Sequence, residues 1–119
     1  MVTLLATLVL GFQAVKPVVS ADLPKFDKKA VTVVGKVSEF KEKVAKTSKR
    51  PYTIFVLTDR KGKVNVFFQG KLTTRIKDGD KVSVTGLYQK EKKIKDRVYK
   101  NEIDATNTKN KNFGVKPVK

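Results

Sequence analysis

The chain has 119 residues, with 27 Lys and Arg against 11 Asp and Glu and a formal net charge of +16, and is long enough for one small core with short extensions. It has no Cys and no His, which removes disulfides, thiolate nucleophiles, cysteine zinc sites and the commonest general base and metal ligand. Its carboxylates are scattered singly and it has no phosphate loop, dinucleotide fingerprint or G-x-S-x-G motif, so the chain is expected to be no enzyme and to need neither cofactor nor metal.

Basic residues in such excess, without matching acids, point to an anionic partner rather than to networks of ion pairs. Nucleic acid, anionic lipid and acidic polysaccharide all fit. Lys outnumbers Arg by 23 to 4, which favours point-charge contact with a phosphate backbone over the bidentate fork that reads guanine edges, and argues against sequence-specific duplex reading.

Residues 2–12 (VTLLATLVLGF) are an apolar run, and Val19-Ser20-Ala21 precede Asp22. The run is shorter than the roughly 20 residues of a membrane span, so no transmembrane span is expected. Small or β-branched residues three and one places before a cut suit signal peptidase. Residues 1–21 therefore read as a signal peptide lacking its basic n-region, or as an apolar strand or helix added to the domain. Removing them deletes Lys16 alone among the charged residues. Residues 22–30 read as a polar linker containing Pro24.

From Val31 the pattern has period two. Val31, Val33, Gly35 and Val37 share one parity in a first strand. Residues 41–51 read as a long polar loop, with a hairpin reaching as far as Val44. Residues 52–58 make a second strand, Asp59-Arg60-Lys61-Gly62 a turn, and residues 63–69 a third strand. That third strand places Val64, Val66 and Phe68 on one face and Lys63, Asn65 and Phe67 on the other. Leu72 and Ile76, at i and i+4, suggest a helical turn or two across the end of a barrel. A fourth strand over 81–88 aligns Val82, Val84 and Tyr88, with Gly86 at a bend. A charged loop over 90–97 leads to a fifth strand, residues 98–106, with Tyr99, Ile103 and Ala105 inward. The folded domain is expected over 31–106, and residues 107–119 as a mobile basic tail.

The run Phe55-Val56-Leu57-Thr58-Asp59-Arg60-Lys61-Gly62-Lys63-Val64-Asn65-Val66 resembles the F-x-L-x-D-x-x-G-x-I-x-V signature of the tRNA-anticodon-type OB-fold, and Lys81-Val82-Ser83-Val84-Thr85-Gly86 resembles its fourth-strand V-x-V-x-G element. The resemblance implies an all-β fold, a five-stranded OB-fold barrel with a short helix between strands three and four. In that family, single-stranded bases lie across the outer face of strands two and three, and the loops joining strands one to two and four to five close over them. Phe55, Leu57, Val64, Val66 and Phe68 would then point inward, and Tyr52, Ile54, Val56, Asn65 and Phe67 outward.

Tyr52 and Phe67 become the stacking platforms, and Asn65 a polar contact to a base. Ile54 departs from the pattern, since synthetase relatives commonly carry a stacking aromatic there. Lys41, Lys43, Lys46, Lys49 and Arg50 on the first loop, and Lys90, Lys92, Lys93, Lys95 and Arg97 on the other, are expected to flank this face. With Lys63, they would make a basic groove for single-stranded DNA or RNA, or another polyanion. Any one loop lysine is ordinarily just solvated; the joint excess carries the reading. No small-molecule substrate is expected. If residues 1–21 are a signal peptide, the chain also resembles the small periplasmic bacterial OB-fold family. That resemblance implies export, stress tolerance and small cationic ligands or protein partners, although its members are usually less basic. Without a signal the chain is expected to be cytoplasmic.

Overall fold

Alternating β-branched and aromatic residues build strands, and here they build enough of them to close on themselves. The computed structural model describes residues 17–108 and 110–118; the apolar run 2–12 lies outside them. The strands are β1 (Lys29–Val44), β2 (Pro51–Asp59), β3 (Gly62–Gln69), β4 (Lys81–Ile94), β5 (Arg97–Asp104) and β6 (Gly114–Pro117). β1 serves two neighbours, pairing with β4 through residues 29–36 and with β2 through residues 36–44. β3 joins β5 in parallel through Asn65, Val66 and Phe67. The circuit β1-β2-β3-β5-β4-β1 thereby closes into a five-stranded barrel.

One strand can serve both neighbours because it bends. Ser38 pairs with Val56 but Lys41 with Ile54, so β1 carries an extra residue there, with Glu39 at a φ of 52°. Such a bulge turns the strand, and Phe40 comes down on Phe55 with ring centroids 6.2 Å apart. Gly86 allows the opposite closure: a Cβ there would overlap the backbone of Asp104 and Ala105.

The inward parity is as expected except at Tyr99, which lies on the outer surface. Val31, Val33, Val37, Phe55, Leu57, Val64, Val66, Phe68, Val82, Val84, Tyr88, Ile103 and Ala105 are all buried, none more than 6% exposed. Tyr88 keeps its hydroxyl satisfied by donating to Asn101 Oδ1 at 2.9 Å.

Four expectations are corrected. Residues 70–80 form no helix between strands three and four. Leu72 and Ile76 still pack against the core, but Gly70 at a φ of 102° and the β-branched pair Thr73-Thr74 leave too little to nucleate a turn of helix. A helix forms earlier in the chain instead, where Ser20–Phe26, straddling the expected apolar segment and linker, form a 3-10 helix that delivers Leu23, fully buried, to the core. The tail is not free of structure: β6 pairs with residues 82–85 of β4, supplying hydrogen bonds to a stretch of that strand which β5 does not reach. The charged loop over 90–97 is a β-arm. β4 continues to Ile94, turns over Lys95 and Asp96 with Lys95 at a φ of 57°, and returns as β5, because a two-residue turn of positive φ matches the twist of a hairpin.

The chain before β1 is tied to the barrel. Val18 N–H donates to the Thr32 carbonyl at 2.8 Å. The Ser20 amide and hydroxyl donate to the Asp59 carboxylate at 2.7 and 2.6 Å. Asp59 also accepts the Lys61 and Gly62 amides at 2.9 and 3.0 Å, which forms the β2–β3 turn. Desolvation pushes the Asp59 pKa upward, but the bonds from Ser20, Lys61 and Gly62 together outweigh it and hold the carboxyl below its usual range. The stabilisation this gives is present above the unfolded pKa, near 4, and is lost as the pH falls through the lowered value. Cleavage after Ala21 would remove Ser20 from this carboxylate.

Candidate nucleic-acid interface

Cross-strand partners share a face, so the pairing register lays out the outer surface of β2 and β3. Lys41, Ile54 and Phe67 form one row, Lys43, Tyr52 and Gln69 the next, and Val56, Asn65 and Glu102 a third. Tyr52 and Phe67 are diagonal neighbours with ring centroids 5.8 Å apart and planes tilted by 30°. Both are half-buried, whereas Asn65 is exposed. The Asn65 amide nitrogen donates to the Lys100 carbonyl at 3.2 Å, so part of this side chain holds β5 against β3.

The β4–β5 arm brings a cation to the same surface. Lys92 Nζ stands 5.6 Å from the Phe67 centroid and 5.5 Å from that of Tyr99, in the range of cation–π attraction, and 2.7 Å from Glu102 Oε1. Tyr99, expected in the core, lies half-buried in this outer cluster. The intervening Asn101 has a φ of 53°, which breaks the strand alternation that had aligned Tyr99 with Ile103. Asn101 is held there by Tyr88 and by donating through Nδ2 to the Lys63 carbonyl at 2.8 Å.

The structure thus gathers Tyr52, Phe67 and Lys92 into direct contact, with Asn65, Lys41 and Lys43 in neighbouring register positions and Lys63 on the same strand. It does not bring the arm tips into contact with the rings. Lys46, Lys49 and Arg50 surround the exposed tip of the β1–β2 arm, and Lys93, Lys95 and Arg97 that of the β4–β5 arm. The Lys90 backbone amide is bonded to Asp27 Oδ1 at 2.7 Å. Tyr99 and Glu102 were not among the expected site residues. Placing a two-residue turn at Lys95-Asp96 would have found Tyr99, because it sets Tyr99 opposite Lys92.

Ion pairing takes up little of the charge. Among the described residues the pairs are Lys25–Asp22, Lys77–Asp80 and Lys92–Glu102, and the last alone is largely shielded from solvent. Among them no group of three or more His, Cys, Asp or Glu could hold a metal ion, and no helix of the described residues is long and apolar enough to cross a membrane. The surface offers flat aromatic faces and ammonium groups.

A closed barrel with this strand order, presenting aromatics outward from β2 and β3, is an OB-fold barrel. The chain belongs to the tRNA anti-codon family of OB-fold nucleic acid binding domains, whose model matches residues 31–107. No curated protein sequence matches significantly. Among solved structures, the chain is similar to yeast Stn1 and Ten1, with 15% identity, 76% of this chain and 43% of that chain covered, and a TM-score of 0.51. It is also similar to the aspartyl tRNA synthetase from Entamoeba histolytica, with 16% identity, coverage of 76% and 20%, and a TM-score of 0.55. A putative aspartyl-tRNA synthetase from Leishmania major Friedlin gives 17%, 94% and 25%, and 0.53. These likenesses are of fold, and the chain spans less than half the length of each.

Proposed function

We propose that this barrel binds single-stranded nucleic acid, DNA or RNA, without catalysis and largely without sequence preference, across the outer face of β2 and β3. The observation that carries the reading is the Tyr52–Phe67 ring pair with Lys92 against it on one side and the Lys41 and Lys43 positions on the other. Aromatic faces stack any base, and lysines along the flanks meet the phosphates, so affinity comes without reading base edges. The basic residues of the two arm tips extend this field and raise the encounter rate. The same chemistry gives no nucleophile or general base a role.

Fluorescence anisotropy of the full chain with a labelled single strand of about fifteen nucleotides, within the span of one such barrel, tests this. Binding is expected at about 50 mM salt and is expected to fall steeply as salt rises, since each neutralised phosphate adds about 0.7 to the slope of log K against log salt. No binding at the low salt overturns the proposal. A slope near zero overturns the phosphate contacts.

A further inference from the structure

The aromatic face does not stop at Tyr52. Its cross-strand partner Gln69 is also the first wall of a groove of about 420 Å³ that leads away between the β3–β4 segment and the returning C-terminal chain. Lys71 and Thr73 line one side, and Asn107, Phe113 and Lys116 the other. Lys71, Thr73, Asn107 and Lys116 are exposed and Phe113 is half-buried. Neither lysine is in an ion pair among the described residues. β6 builds this wall, because its pairing with residues 82–85 fixes the chain that carries Phe113 and Lys116.

We infer that this groove is a second segment of the single-strand track, in which Phe113 stacks a base and Lys71 and Lys116 contact phosphates on either side of it. The inference rests on the proposed function and adds a site to it. Its ligand is the same strand after it leaves Tyr52: two ammonium groups outside any ion pair among the described residues exclude an apolar chain by charge, and the aromatic ring that shares the groove with them favours a nucleotide over an acidic peptide. The C-terminal strand becomes part of the binding surface.

The test compares oligothymidylates of about six and about fifteen nucleotides, near the two ends of the range one barrel covers, on the full-length chain and on Phe113→Ala and Lys71→Ala/Lys116→Ala variants. The long strand is expected to bind wild type more tightly than the short one. Phe113→Ala is expected to remove about tenfold of affinity for the long strand, and the double lysine variant to lower its salt slope by about 1.4. The short strand is expected to bind all three alike. Thermal melts identify any variant that has released β6, and the lysine variant, which removes no buried group, keeps the test valid if Phe113→Ala does so. Long-strand binding unchanged in the lysine variant overturns the inference, as does an equal loss for both lengths. If wild type binds neither strand, the proposed function falls and this inference with it.

Discussion

Phe67→Ala is expected to weaken single-strand binding about tenfold or more while leaving the barrel folded. The ring is on the outer surface, against Tyr52 and Lys92 rather than inside the core. Truncation therefore forfeits a stacked base, worth about 1 to 3 kcal/mol, and a ring pair worth about 1 kcal/mol to stability. Phe55 supplies the contrast. It is 2% exposed and stacked beneath Phe40, so Phe55→Ala is expected to cost about 3 to 5 kcal/mol of stability. Anisotropy and a thermal melt on both variants separate the two roles. If Phe67→Ala melts as Phe55→Ala does, the ring is structural; if it binds as wild type, the platform lies elsewhere.

Leu23→Ala is expected to cost about 2 to 5 kcal/mol, the range for a buried leucine whose cavity cannot fully collapse. The side chain is fully buried in the core, on a helix that packs against β1, β3 and β4. For a domain of this size that amounts to a fall in Tm of about 10 °C or more, read by a circular-dichroism melt. A fall of a degree or two would show that Ser20–Phe26 is an accessory rather than part of the core.

The parts of the fold that were legible in the sequence are those governed by nearest neighbours. Val64, Val66 and Phe68 alternate with Lys63, Asn65 and Phe67, and that parity alone assigns the two faces of β3. The turn Asp59 to Gly62 needs a carboxylate and a glycine, and both are visible. Where prediction failed, a long-range contact had decided. Leu23 sits in a polar stretch with Pro24, and nothing local says that the core will accept it. Residues 114–117 show no strand period, and they pair because β4 leaves an edge unfilled.

The site divides in the same way. Tyr52 and Phe67 followed from parity, but Tyr99 did not, since one residue of positive φ at Asn101 inverts what alternation implies. The charges of both arms were visible as a count, whereas Lys92's place over Phe67 required knowing that residues 90–97 form a hairpin.

The most direct test is an amide chemical-shift titration of the isotopically labelled full chain with an unlabelled single strand at low salt. The largest changes are expected at Tyr52, Ile54, Asn65, Phe67, Lys92 and Tyr99, on the outer face shared by β2, β3 and the β4–β5 arm. Changes concentrated instead around Lys36, Arg60, Lys61 and Lys81, which line a separate groove with Val18 and Val19, would contradict the account.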